Sequence, residues 1–144
     1  MKTVRQILKQ KGSEVYSVDL ESSVYEALTK MKEKNVGALL VMDDWKLAGV
    51  FSERDCARNI SLQERPLKET KVKDFMTELV ATVNPDTNIF DCMSMMTDKR
   101  IRHLPVLQNN ELVGIISIGD VVNAIIHEQD MTIRDLKNYI SGQS

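Results

Sequence analysis

Two serine–aspartate pairs are the residues of this chain whose types and spacing best suit ligand chemistry. Ser52 and Asp55 lie in the stretch GVFSERD, and Ser117 and Asp120 lie in GIISIGD. If each serine ends a strand and begins a helix, its hydroxyl and the free N–H groups of the first helical turn can bind a phosphate. An ionised aspartate three residues later offers acceptor oxygens to both hydroxyls of a ribose. Each pair, called a Ser–Asp motif below, is therefore a candidate nucleotide site.

The same spacing also has a purely structural interpretation. A serine that begins a helix accepts a hydrogen bond from a backbone N–H of the first turn, and the helix dipole favours an acidic residue there. If both copies descend from one ancestor, the cap would occur twice even if no ligand binds there. The spacing alone leaves the cap and the ligand site open.

The two motifs belong to an internal repeat. Residues 15–60 align with residues 80–125 after a shift of 65 positions, without a gap and with eleven identical residues among 46. Gly49 and Gly114, which precede the motifs, are among the identities, and a glycine there lets another backbone or a ligand ring come close. A period of 65 residues exceeds the roughly 20–50 residues of stacked arrays, so it favours a tandem pair of small folds.

Each copy shows the same pattern of elements. In the first copy, apolar residues recur at helical spacing from Val24 to Met31, after a capping-box pattern at Ser23 and Glu26. Two short apolar runs then predict two adjacent strands, and a second helix is predicted to begin near Ser52. The second copy repeats these signals, so the order in each copy is strand, helix, strand, strand, helix.

The chain enters both copies alike, because VKDFM before the second copy resembles VRQIL at the start. We predict a first repeat with its N-terminal lead-in over residues 1–65 and a second repeat with the lead-in VKDFMT over residues 66–129. Residues 130–144 keep apolar residues among charges, which predicts a C-terminal helical tail whose apolar face needs a partner.

Composition excludes several function classes. The chain of 144 residues has 42% hydrophobic residues and a net charge of −2, which predicts a folded core and no broad attraction to nucleic acid or anionic lipid. No apolar run approaches the roughly 20 residues that cross a bilayer, and the start lacks a signal-peptide pattern, so the predicted location is the cytoplasm. Cys56 and Cys92 form no CxxC pair, and we interpret them as buried apolar residues.

Catalytic and metal signatures are also missing from the sequence. It contains no serine–histidine–aspartate set in a supporting context, no cluster of metal ligands and no GxxxxGK[ST] phosphate loop. We therefore predict no enzyme, no catalytic residue and no metal site.

Four signatures in order resemble a known family: the duplicated unit, the paired GVFSERD and GIISIGD, the IRHLPV of the second copy and the VKDFMT before it. Together they resemble a tandem pair of cystathionine-β-synthase (CBS) domains, a Bateman module, over roughly Val4 to Ile126. The resemblance implies an α+β fold of two β-α-β-β-α repeats packed through their sheets with pseudo-twofold symmetry. It also implies clefts that bind AMP, ADP, ATP or NAD, and pairing of two modules into a homodimer.

The resemblance also implies roles for particular residues. Asp55 and Asp120 would hold a ribose, while Ser52 and Ser117 would lie near the phosphates. The remaining implied ligand-binding residues surround the two motifs: Val18, Arg54, Arg58, Val83, Arg102, His103 and Pro105.

The two copies differ in their implied basic residues. Arg102 and His103 match positions where the family places phosphate-contacting side chains, but the first copy has Gly37-Ala38 there. Arg54 and Arg58 bring positive charge to the first copy instead. The resemblance therefore implies two sites that are not equivalent.

Val18 and Val83 match the adenine-flanking segment of the family, where backbone groups read the base. For three of the basic residues, a role without a ligand is also open. Arg58 and Arg102 are also explained as solvated surface charges, and His103 as a structural histidine.

Taken together, these observations predict a stand-alone regulatory module that binds an adenosine nucleotide and acts as a metabolic sensor for an unidentified regulated protein. Two alternatives stay open, a structural dimerisation module without a ligand and an enzyme that acts on an adenosine compound.

Overall fold

Residues 2–60 and 64–142 are described by a computed structural model, and they form six helices and six strands. The helices are α1 (Val4–Lys11), α2 (Val24–Lys34), α3 (Glu53–Ile60), α4 (Val72–Phe75), α5 (Ile89–Lys99) and α6 (Ile118–Ile140). The strands are β1 (Ser17–Asp19), β2 (Ala38–Asp43), β3 (Lys46–Ser52), β4 (Thr77–Glu78), β5 (His103–Gln108) and β6 (Glu111–Ser117). The predicted α+β class is confirmed.

The first repeat lies in a compact unit formed by Val15–Val80. Its sheet has the order β1-β2-β3-β4, in which β1 is parallel to β2 and the other pairs are antiparallel. The hairpin between β2 and β3 turns at Asp44, whose φ of 54° is left-handed. Helix α2 begins at Ser23, whose side chain accepts a hydrogen bond from the Glu26 N–H at 3.0 Å. The predicted cap at Ser23 is therefore present.

The second repeat lies in a compact unit formed by Met1–Glu14 and Ala81–Ser144. Strands β5 and β6 form a two-stranded antiparallel sheet, joined by a turn at Asn109 and Asn110 with φ of 53° and 65°. The strand predicted around Val83 is reduced to a single parallel bridge with Val106. This repeat therefore keeps the predicted order with a shorter first element.

The two lead-ins, residues 2–11 and residues 70–79, exchange cores. The first lead-in contributes to the core of the second repeat, and the second lead-in contributes to the core of the first repeat. Val4 and Ile7 are buried in the core that contains Ile89 and Leu104, the core of the second repeat. The core of the first repeat contains the corresponding residues of the second lead-in along with its own: Val24, Ala27, Met31, Leu39, Val41, Phe51, Cys56, Val72 and Phe75. Burial of two apolar side chains at equivalent positions holds each lead-in in place.

Backbone hydrogen bonds repeat this arrangement in both units. Val72 N donates to Ser22 O at 2.8 Å, and Val24 N donates to Thr70 O at 2.8 Å. The equivalent pairs of the other unit are Val4 N to Thr87 O at 3.0 Å and Ile89 N to Lys2 O at 3.1 Å. The lead-ins are thus bound to the repeats by matching main-chain contacts.

The compact units divide the chain differently from the predicted boundaries at 65/66 and 129/130, which remain a prediction about the sequence repeats. The first lead-in, expected with the first repeat, lies in the unit of the second, because its apolar residues complete that core. The predicted tail is not a separate helix, since α6 runs from Ile118 to Ile140 without a break. Nothing in residues 2–60 and 64–142 is a helix of the length and apolar content needed to span a membrane.

Candidate functional site

The Ser–Asp motif of the first repeat lies where β3 ends and α3 begins, and it is hydrogen-bonded to itself. Ser52 N donates to Asp55 Oδ2 at 2.9 Å, and Ser52 Oγ donates to the same oxygen at 3.0 Å. In return, Asp55 N donates to Ser52 Oγ at 3.2 Å. Ser52 is buried, with 6% of its surface exposed. The motif therefore caps α3, as the structural interpretation of the spacing predicted.

The second oxygen of Asp55 is bonded to the second lead-in. Thr77 Oγ1 in β4 donates to Asp55 Oδ1 at 2.9 Å. The threonine is held there because Val50 and Thr77 are paired in the antiparallel ladder of β3 and β4. Both oxygens of this carboxylate thus accept hydrogen bonds from the same unit.

The motif of the second repeat makes the same cap between β6 and α6. Ser117 N donates to Asp120 Oδ2 at 2.8 Å, and Asp120 N donates to Ser117 Oγ at 3.2 Å. Here the lead-in supplies a cation, because Lys11 Nζ donates to Asp120 Oδ2 at 2.7 Å and to Ile115 O at 3.0 Å. Among the described residues, none donates a hydrogen bond to Asp120 Oδ1.

The environment of Asp120 keeps its carboxyl group ionised. Partial burial by itself raises the pKa, but the hydrogen bonds from Lys11 and from the Ser117 N–H outweigh it, so the pKa of Asp120 is lowered. The aspartate side chain is 23% exposed and the lysine side chain 35% exposed. Asp120 is therefore a preformed, charged acceptor that solvent still reaches.

The glycines before the motifs are explained by the lead-ins. A Cβ atom on Gly49 would collide with the backbone oxygen of Thr77, and one on Gly114 would lie 2.6 Å from Leu8 Cδ2. The predicted close approach is therefore present, but the approaching groups belong to the chain itself.

The basic residues predicted for the second repeat lie beside its motif. Ile118 N, at the start of α6, donates to Arg102 O at 2.8 Å, and His103 is opposite Ser117 in the β5–β6 ladder. The Arg102 side chain is exposed and the His103 side chain is half-buried. The structure thus brings Arg102, His103 and the Ser–Asp motif together at one end of the β5–β6 hairpin.

The corresponding place in the first repeat lacks a basic side chain on that loop. Glu53 N donates to Gly37 O at 3.1 Å, which is the same backbone contact without the arginine. Arg54 and Arg58 are exposed on α3, and neither forms an ion pair within residues 2–60 and 64–142. The predicted difference between the copies in this loop is present, while the phosphate roles of the arginines stay predictions.

Three other predicted residues are placed by the strands. Pro105 is buried in β5, where its carbonyl oxygen accepts from Val83 N at 3.1 Å, and Val83 O accepts from Leu107 N at 2.8 Å. Both backbone groups of Val83 are thus engaged within the unit. Val18 is half-buried in β1 opposite Val41. Base recognition by Val18 and Val83 stays a prediction.

The cysteines lie in the two cores, and a surface groove runs along a helix. Cys56 and Cys92 are free and buried, and burial raises the pKa of Cys92 to about 11. Within the part of the chain that the structure describes, no group of three or more potential metal ligands is present. A groove of about 300 Å³ lies along α2, lined by Tyr25, Glu26, Thr29, Lys30, Glu33 and Lys34, and includes no motif residue.

A comparison with protein families identifies the repeated unit. The family model of the CBS domain matches the chain twice, over residues 4–62 and 72–127. The chain belongs to the CBS-domain family. The two matches include both Ser–Asp motifs, so the resemblance suggested by the sequence is confirmed, and the chain is a tandem CBS pair.

Relatives of this CBS pair include a protein from Arabidopsis thaliana, the mitochondrial CBS domain-containing protein CBSX3. The two are 41% identical over 97% of this chain and 72% of that protein. Among solved structures, a protein with CBS domains from Burkholderia ambifaria MC40-6 is 47% identical, with a TM-score of 0.80 over 89% of this chain and 96% of that one. The structure of CBSX2 in complex with AMP is 27% identical, with a TM-score of 0.67 over 88% of this chain and 98% of that one.

Sequence reasoning missed two residues that contact the aspartates, Lys11 and Thr77. Thr77 is the last residue of the VKDFMT signature. That signature identified the segment, but it did not indicate that the threonine contacts Asp55. Lys11 had no such signal, because the equivalent position of the second lead-in is Leu79 and the repeat alignment therefore does not select it.

Proposed function

We propose that this CBS pair is a regulatory module that binds an adenosine nucleotide (AMP, ADP, ATP or NAD) at its Ser–Asp motifs. The aspartates hold the ribose, and the serines with the nearby basic residues Arg102, His103, Arg54 and Arg58 face the phosphates. Binding reports the level of the nucleotide to a regulated protein that the sequence does not identify.

The observation that carries this proposal is the state of Asp120. Its carboxyl group has a lowered pKa, its side chain is partly exposed, and its Oδ1 accepts no hydrogen bond from a described residue. A cap needs only the oxygen that faces the Ser117 N–H. An ionised oxygen that receives no hydrogen bond from a described residue suits the hydroxyls of a ribose.

The AMP complex of CBSX2 supports an adenosine ligand, because that protein aligns over most of both chains. The ligand in that complex is AMP, so ADP, ATP and NAD are proposed from the family resemblance. We infer no cofactor for catalysis.

Ligand-dependent melting tests the proposal. At a hundred times its dissociation constant, a nucleotide that binds only the folded protein adds about 2.7 kcal/mol to the free energy of unfolding. We expect a higher melting temperature with at least one of AMP, ADP, ATP and NAD, and none with CMP or UMP at the same concentrations. Identical curves for all six would refute adenosine-nucleotide binding and favour a structural pairing module.

Catalysis is the less favoured alternative, because within residues 2–60 and 64–142 the hydrogen bonds of each motif serine with its aspartate form a helix cap and not a nucleophile–base pair with a histidine. Product analysis after long incubation with each nucleotide separates the two functions. We expect the nucleotide to be recovered unchanged. Protein-dependent hydrolysis that Asp120→Ala abolishes would show that the module is an enzyme.

A second copy of the chain is the proposed partner of the exposed part of α6. Ile126, Ile133 and Ile140 recur every seven residues, with Leu136 between them, and they are 51–77% exposed. This spacing is typical of helices that pair with an identical helix. We therefore propose a homodimer, in which these residues are covered by the same residues of the other chain.

The location of the protein is proposed from the sequence. We expect the cytoplasm, although the relative CBSX3 is named as mitochondrial. A fluorescent fusion to the C-terminus of the full chain, compared with compartment markers, distinguishes the two.

A further inference from the structure

We propose that Lys11 and Thr77 rank the two ribose sites, so that the site of the second repeat binds the nucleotide more tightly and fills first. This inference rests on the proposed function and names the residues that decide affinity at its two sites. Both residues come from a lead-in and touch the aspartate of the Ser–Asp motif, but they leave different acceptor positions open.

The count of hydrogen bonds at each carboxylate carries the argument. An ionised carboxylate has about four acceptor positions, two on each oxygen. Asp55 uses three of them, since Ser52 donates twice to Oδ2 and Thr77 donates to Oδ1. Asp120 accepts from the Ser117 N–H and from Lys11 Nζ, and both hydrogen bonds go to Oδ2. Only Asp120 keeps a whole oxygen for the two hydroxyls of a ribose.

Thr77 is held in the position that blocks Asp55. Its backbone is paired with Val50 in the sheet, and its carbonyl oxygen lies against Gly49, which has no side chain to push it away. A ribose at the first repeat must therefore either share Oδ1 with the threonine or break that hydrogen bond. The cost lowers affinity at this site.

Lys11 has the opposite effect at the second repeat. Its ammonium group is fixed by two acceptors, Asp120 Oδ2 at 2.7 Å and Ile115 O at 3.0 Å. Because the lysine and the Ser117 N–H both bind Oδ2, the carboxylate is oriented with Oδ1 open. The cation also offsets the negative charge of the aspartate, which would otherwise repel the phosphates of the ligand.

Single-site proteins allow the two affinities to be compared by calorimetric titration with AMP. Asp120→Ala leaves the first site and Asp55→Ala leaves the second, and each variant loses one equivalent cap. We expect the Asp55→Ala protein to bind AMP about tenfold more tightly than the Asp120→Ala protein. If an alanine variant does not fold, the asparagine variant at the same position replaces it.

Thr77→Val then tests whether the threonine hydroxyl causes the difference in affinity, because valine lacks the hydroxyl but has nearly the same side-chain shape. In the Asp120→Ala background we expect it to tighten AMP binding by about three- to tenfold, and Thr77→Ser to leave affinity unchanged. In the Asp55→Ala background Thr77→Val has no carboxylate to release, so it serves as the control.

The outcomes separate this inference from the proposed function. If the wild-type protein binds none of AMP, ADP, ATP and NAD, both fail. If it binds AMP but the two single-site proteins have equal affinity, or Thr77→Val fails to tighten the first site, the ranking by lead-in residues is refuted while nucleotide binding stands.

Discussion

Leu8 lies against Gly114, so that a Cβ atom at this glycine would come within 2.6 Å of Leu8 Cδ2. The first repeat has the equivalent contact between Gly49 and the backbone of Thr77. In both repeats, the glycine of the repeated phrase is therefore required by a lead-in. The stretches GVFSERD and GIISIGD therefore each contact a lead-in as well as placing a serine and an aspartate.

The two glycines differ in what an added methyl group would meet, which predicts unequal costs. Gly49→Ala meets a backbone oxygen of β4 that cannot move without breaking the ladder, so we expect a loss of about 1–3 kcal/mol in the free energy of unfolding. Gly114→Ala meets the end of a flexible leucine and should cost less. Denaturant melts measure both, with Gly37→Ala as the control, because no atom lies within 4 Å of its added Cβ. If Gly114→Ala lowers the free energy of unfolding more than Gly49→Ala does, the predicted order of the two costs is wrong.

Replacing the aspartates distinguishes a cap from a ligand site. If Asp120 holds a ribose, Asp120→Ala weakens nucleotide binding at its own site by about ten- to a hundredfold. If it only caps α6, the substitution costs around 1 kcal/mol of stability and leaves affinity unchanged. Titration and a denaturant melt of each variant decide between the two results.

A matched control for this experiment is the cap of α5, where Asn88 and Asp91 exchange hydrogen bonds at 2.9 Å in both directions. Asp91→Ala should lower stability without changing affinity. Wild-type affinity and stoichiometry in the variants Asp55→Ala and Asp120→Ala would show that both motifs are caps.

Glu21 predicts an acid-dependent part of the stability. Hydrogen bonds from Lys71 and then Lys73 lower its pKa from 4.5 to about 2. Because the pKa is depressed in the folded state, the stabilisation is complete above pH 4.5 and is lost as the pH falls towards 2. We expect Glu21→Gln to melt earlier than wild type near pH 7 and to match it near pH 2. All three side chains are partly exposed, so the difference should shrink in high salt.

The control for Glu21 is Glu33→Gln, since Glu33 forms no ion pair with any residue in the described ranges. Thermal melts of the three proteins from pH 2 to pH 7 measure the effect. A constant difference between Glu21→Gln and wild type across this range would show that the ion pair is not its cause.

The exposed residues of α6 predict the oligomeric state. We expect sedimentation to show a dimer of the 16.4 kDa chain, and Ile133→Glu to give the monomer, because a charge cannot be buried in an apolar seam without a large cost. Arg134→Gln, on the next position of the helix, is the control and should remain dimeric. A wild-type protein that sediments only as a monomer at high concentration, with and without AMP, would argue against the homodimer.

The buried cysteines should not react in the folded protein. The pKa of Cys92 is about 11 and that of Cys56 is also raised by burial, so few thiolates exist near neutral pH. We expect a thiol reagent at pH 7.5 to label neither residue until denaturant is added. Rapid labelling of the native protein would indicate that one of the cores opens.

The repeated elements and the position of the two Ser–Asp motifs could be predicted from the sequence alone. The alignment of residues 15–60 with 80–125 predicted the order of strands and helices, and local spacing predicted the cap at Ser23. For Ser52 and Ser117, the same spacing gave the cap as one of two open interpretations. These features depend on residues three or four positions apart, and local hydrogen bonds and helical periodicity are legible in sequence.

The segments that surround each motif could not be predicted from the sequence, because they depend on tertiary packing. The pairing of each lead-in with the repeat that it does not precede depends on buried apolar contacts over long sequence separations, and either lead-in pattern would suit either repeat. For the same reason, spacing did not show that Lys11 reaches Asp120, 109 residues away, or that Thr77 reaches Asp55. The difference between the two carboxylates arises from these distant contacts, because a hydrogen bond requires proximity in space, whatever the separation along the chain.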